Sequence, residues 1–128
     1  MCYRKISKFK MMNGIVIISK FWTNFFSAGR AVAVTVFPFI FVISTDRATD
    51  NTLMQHENIH IRQALELGVF PFYIWYLLEF LVLYLRHRNM QQAYLHIIFE
   101  REAYRHQADI DYLQKRKRWA FLRFRGGA

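Results

Sequence analysis

His56-Glu57-Asn58-Ile59-His60 is the stretch of this chain whose residue types and spacing most directly suggest chemistry. Two histidines four positions apart on a helix lie one turn apart on the same face, so their imidazoles can share one metal ion. The single Cys2 rules out a thiolate-rich site, so any metal site must come from His and carboxylates. Glu57 sits beside the histidines but is offset around the helix. That offset suits metal-assisted hydrolysis, in which the ion polarises a water while an adjacent carboxylate takes its proton and later passes it to the leaving amine. The ligand types predict zinc, and the same ligands also accept other divalent ions.

A catalytic zinc site takes three protein ligands and keeps a fourth position open. Candidates for the third stand on a later helical stretch predicted over 91–114, where Ala93, Ile97, Glu100, Tyr104, Ala108 and Asp111 recur at spacings of three or four. Glu100 and Glu102 both qualify, and helical phase alone does not separate them. The chain resembles the gluzincin branch of the zincins, whose third ligand is a Glu on a later helix in an E-x-x-A-D pattern. Here the matching residues are Glu100-Arg101-Glu102-Ala103-Tyr104.

The resemblance covers residues 36–104, and its specific parts are HENIH and EREAY. It implies a zinc metallopeptidase acting on a peptide or protein substrate, with His56, His60 and Glu100 as ligands and Glu57 as general base. Glu102 is kept as the alternative third ligand. Ala103 would be the small residue that lets two helices approach, and Tyr104 departs from the Asp of the family pattern. The longer zincin pattern with a third His is absent. The chain also resembles small bacterial proteins that combine an HE-x-IH-x-RQ helix, an aromatic apolar segment and an EREAY helix.

The elements needed to position these residues can be read on either side of the motif. The stretch 31–44, AVAVTVFPFIFVIS, is rich in β-branched and aromatic residues and predicts a strand pair or one broken strand, with Pro38 at an edge or bulge. A loop is expected over 45–51. Thr52 and Gln55 then form a candidate capping box for a helix that runs to Leu67 and stops at Gly68 and Pro71. Leu53, His56, His60, Gln63, Ala64 and Leu67 share one face of it, with Glu57 at the border. Gln63 and Glu79 read either as partners that orient an imidazole or as an exposed amide and an arginine-paired carboxylate. The strand at 36–43 reads as a core strand or as an edge for an extended peptide. Tyr73, Tyr76 and Tyr84 read as packing aromatics, and His87, His96 and His106 as histidines outside the site.

The segment 69–85, VFPFYIWYLLEFLVLYL, has Glu79 as its only charge and lies at the lower length limit for crossing a bilayer. Spanning would bury that carboxylate in hydrocarbon, so a buried or membrane-lying helix is preferred to a spanning one. Arg86, His87 and Arg88 end it.

Taken together, the 128 residues predict a single α+β domain, mainly helical and zincin-like, with a small sheet preceding the HExxH helix. A basic segment (1–12) and a basic aromatic tail (115–128) flank it. The lone cysteine suggests a reducing compartment, and no signal peptide is expected because the early apolar run 15–18 is too short. Met11 and Met12 are alternative starts. A cytoplasmic protein is therefore expected, with membrane association as an addition. The 18 Lys and Arg against 9 Asp and Glu give a net charge of +9, which keeps one rival in view. In that rival the protein is non-catalytic, and 69–85 and the basic tail rest on anionic lipid. Nucleic acid is less favoured, because no binding module frames Trp119, Phe121 and Phe124.

Overall fold

The computed structural model describes residues 13–125. The basic segment 1–12, with the alternative starts, lies outside the described residues, as does the end of the tail. Helices dominate, and a small sheet precedes the HExxH helix, so the fold is mainly helical α+β as expected.

The run 31–44 forms a hairpin of β2 (Ala33–Val36) and β3 (Phe39–Val42) around Phe37-Pro38. A third strand, β1 (Ile15–Ile18), pairs parallel to β3 and gives the order β1-β3-β2. The connection between the parallel strands carries α1 (Lys20–Ser27). Because β3 is the middle strand, both of its edges are paired, and residues 39–42 of the stretch 36–43 cannot take an added peptide strand. Among the described residues the outer edges of the sheet belong to β1 and β2. Ile40 and Val42 of β3 pack with Ala33 and with Ile61 of the long helix.

The expected loop after the hairpin contains a single helical turn, α2 (Thr45–Ala48). The HExxH helix, α3 (Asn51–Leu67), is capped by Asp50, whose side chain accepts the Leu53 N–H, and not by the predicted Thr52–Gln55 box. Asp50 is a strong capping residue one position before the helix, and Gln55 donates instead to the Asp109 carbonyl. Helix α3 ends at Gly68, whose φ of +97° is a conformation that side-chain-bearing residues rarely adopt. That glycine lets α4 (Val69–His87) begin at once and fold back across α3.

The predicted helix 91–114 is broken into α5 (Met90–His96), α6 (Ile98–His106) and the short α7 (Tyr112–Lys115). The break falls at Ile97, whose backbone is extended. Glu79 explains part of it, because its Oε2 accepts the Ile98 N–H at the start of α6, 3.2 Å away. Glu79 therefore caps a helix and does not orient an imidazole.

Part of the stretch 115–125 joins the core, while Lys115, Lys117, Arg118, Arg123 and Arg125 stay exposed. A 3-10 helix (Ala120–Phe124) buries Ala120 and Phe121, and Phe121 joins Phe72, Leu83, Ala93, Ile97, Ile98 and Phe99 in the main apolar cluster. Arg116 is also interior, with a side chain only 1% exposed.

Candidate metal centre

Helix α3 supplies His56, Glu57 and His60 from its buried face, and α6 supplies Glu100 opposite them. The two helices come close because Ala103 is fully buried between them, beside Ile59. Glu100 Oε1 stands 3.0 Å from His56 Nε2, and Glu100 Oε2 stands 3.2 Å from His60 Nε2. One ligand atom from each of the three residues lies within 4.8 Å of the others.

The other ring nitrogen of each histidine is held by an amide oxygen. His60 Nδ1 is 2.8 Å from Gln63 Oε1, and His56 Nδ1 is 2.8 Å from Gln107 Oε1. An amide oxygen only accepts, so both Nδ1 atoms donate. In the neutral rings the Nε2 lone pairs are then left facing Glu100. His60 Nε2 is buried and has no aligned hydrogen-bond partner despite its nearness to Glu100. Two imidazole nitrogens and a carboxylate that converge in this way, one nitrogen without a partner, fit a divalent metal.

The cluster can hold a metal ion. Among the described residues it is the one group of three or more such side chains placed to do so. Comparison with protein-family models, with curated proteins and with solved structures finds no match.

Its electrostatics are those of a proton-filled ligand set. Burial by itself disfavours charge on His60, but the Glu100 carboxylate, with a lesser contribution from Glu57, raises the imidazole to about 9. Burial would likewise raise Glu100, and the two imidazoles reverse this and hold it well below the usual carboxylate range. A metal ion must displace that proton to bind.

Glu102 points away from the cluster. It accepts from Arg116 and from the Tyr112 hydroxyl, 2.6 Å away, and from Gln63 Nε2 at 2.9 Å. It thereby fixes the amide that holds His60, and Gln63 also donates to the Phe99 carbonyl. The carboxylate nearest the histidines is Glu100.

Glu57 is held from the sheet, since the Thr35 hydroxyl on β2 donates to its Oε1 at 2.6 Å. Two tyrosines expected to be packing aromatics make polar contacts here. Tyr76 OH donates to Glu100 Oε2 at 2.6 Å, and Tyr73 OH donates to the Thr35 carbonyl at 3.1 Å. Tyr104 lays its ring edge-on to His56, and its hydroxyl is 3.0 Å from that of Tyr94. Thr35 and Tyr76 gave no local signal, because they reach the site from β2 and α4, and Gln107 reaches it from the C-terminal end of α6, two turns beyond Glu100. His87 and His96 stack on each other, and His106 stacks on Tyr112.

The two amide contacts carry a prediction. Gln63→Leu and Gln107→Leu should each weaken metal binding about 10- to 100-fold, because the ring it holds is then free to turn or change tautomer. Competition against a metal-indicator dye measures this, and unchanged affinity in both variants would mean that the amides do not orient the ligands.

Proposed function

We propose that the protein is a zinc-dependent peptidase of gluzincin type, with His56, His60 and Glu100 as zinc ligands and Glu57 as general base. The observation that carries this reading is the convergence of His56 Nε2, His60 Nε2 and the Glu100 carboxylate on one point, with Glu57 beside them on the same helix. Three nitrogen and oxygen ligands suit zinc.

Zinc bound there supplies Lewis-acid polarisation of a water and of the scissile carbonyl. The protein's own groups do the rest. The Thr35 hydroxyl occupies Glu57 Oε1 and fixes the carboxylate. Its other oxygen takes the proton as the water oxygen bonds to the carbonyl carbon. Glu57 would then hand that proton to the amide nitrogen as the C–N bond breaks, giving a carboxylic acid and an amine, and the acid's remaining proton passes to the amine so that both products leave ionised. Tyr76 keeps Glu100 in place from the opposite helix. His56, Glu57 and His60 are 4–6% exposed, which keeps the ligand set away from bulk water.

The test is elemental analysis of protein purified without a metal-affinity tag, with hydrolysis followed on a mixed peptide library. About one zinc per chain is expected, lost in His56→Ala and Glu100→Ala, together with cleavage that a chelator stops. Absence of zinc from the parent protein would end this reading, and bound zinc with no cleavage of any library peptide would reduce it to a metal-binding role.

A further inference from the structure

Helix α4 has two unlike faces. The inner one carries Phe72, Tyr73, Tyr76, Glu79 and Leu83 into the protein. The outer one bears Phe70, Ile74, Leu77, Leu78, Leu81 and Leu85, each 47–80% exposed. Spacings of four, three, one, three and four place these six on a single stripe. Over sixteen residues the stripe is about 24 Å long. So large an unbroken apolar surface marks an interaction site on a soluble chain.

Charge and ring placement say what covers it. The helix has one carboxylate, Glu79, and that is turned inward to the Ile98 and Trp75 N–H groups, so the outer face has no acidic group. Arg86 and Arg88, both exposed, stand at the end of the stripe. Trp75 and Tyr84 flank it on opposite sides, partly exposed, as amphipathic rings do at the boundary between hydrocarbon and water. Pairing with a second copy would set Arg86 and Arg88 against either the same arginines or the positive N-terminal end of the partner's α4. Each copy also has a net charge of +9. Anionic headgroups meet those arginines with opposite charge. Because the inner face is committed to hydrogen bonds, one side of the helix is left for lipid.

We propose that α4 lies in the plane of an anionic membrane surface, with the stripe from Phe70 to Leu85 in the acyl boundary and Arg86 and Arg88 on the headgroups. The inner face of the same helix supplies Tyr76 to the metal centre, which sets that centre beside the lipid surface. This inference does not depend on zinc or on hydrolysis.

Flotation of the full-length chain with phosphatidylcholine vesicles, with and without phosphatidylserine, tests it. The protein should float with the serine-lipid vesicles, and Leu77→Asp with Leu81→Asp should cut partition at least tenfold while circular dichroism and metal content stay unchanged. Arg86→Gln with Arg88→Gln should weaken binding to the anionic vesicles and leave the residual binding to neutral ones. The proposal is overturned if the parent fails to float, if flotation survives the aspartates, or if the parent is a dimer in lipid-free solution that the aspartates dissociate. That last result would assign the stripe to a second copy of the chain.

Discussion

Glu57→Gln is expected to leave one metal ion per chain and to lower peptide hydrolysis by about 100- to 10,000-fold. Glutamine has the shape of glutamate, and its amide oxygen can still accept the Thr35 hydroxyl that now bonds Glu57 Oε1. What it lacks is a basic oxygen to take a proton from water. The three ligand groups belong to His56, His60 and Glu100, so the metal should remain. Metal content by elemental analysis and kcat/KM on a cleaved peptide separate the two effects. Loss of the metal along with activity would show that Glu57 supports the ligands, and an unchanged rate would remove it from the chemistry altogether.

Arg116→Met should destabilise the protein by about 3–5 kcal/mol, because it leaves buried carboxylates without their cation. For a chain of this size that corresponds to a fall in Tm of roughly 10–20 °C. Arg116 is 1% exposed and bridges Glu102, which is fully buried, and Glu66, which also accepts the Trp119 N–H at 2.8 Å. Burial alone would raise the Glu102 carboxyl, but Arg116 reverses this and holds it below its ordinary value of 4.5. The stabilisation it contributes is therefore present above about 4.5 and is lost as pH falls through the lower folded value. The Tm gap between parent and variant should accordingly be wide at neutral pH and narrow in acid. A gap that does not change with pH would mean the loss comes from packing and not from charge. The effect should also reach the metal site, since Glu102 holds Gln63 and Gln63 holds His60.

The basic tail illustrates why some of this fold could not be read locally. Charge runs near a chain end ordinarily remain in solvent, and nothing within 115–125 distinguishes Arg116 from Lys115 or Lys117. Its partners, Glu66 and Glu102, lie on two other helices. The break at Ile97 has the same origin, because the apolar spacing runs on through it and the carboxylate that caps α6 comes from α4. Helix α4 itself was evident from its composition, but whether it is buried was not. Phe72 and Leu83 are the buried residues of its nineteen, which leaves its outer stripe uncovered by the described residues.

Where the signal was periodic and local, the sequence by itself determined the outcome. The helix that carries the motif and runs to Leu67, its end at Gly68, the β-forming character of 31–44 and the presence of His56 and His60 on one face with Glu57 at its border all follow from spacing and backbone preference, whereas the structure decided that 31–44 is a hairpin turning at Pro38. Glu100 as the carboxylate nearest those histidines was reachable only by resemblance, since Glu100 and Glu102 point to different sides of their helix and the sequence does not say which side meets the histidines. Tertiary structure decided between them by giving Glu102 to Arg116 and Tyr112 and Glu100 to the histidines. It also decided that Thr35, Tyr76 and Gln107 steady the site, because a hydrogen bond between residues far apart in sequence depends on where their backbones meet, whereas Gln63, three residues from His60 on the same helix face, was already legible in the spacing.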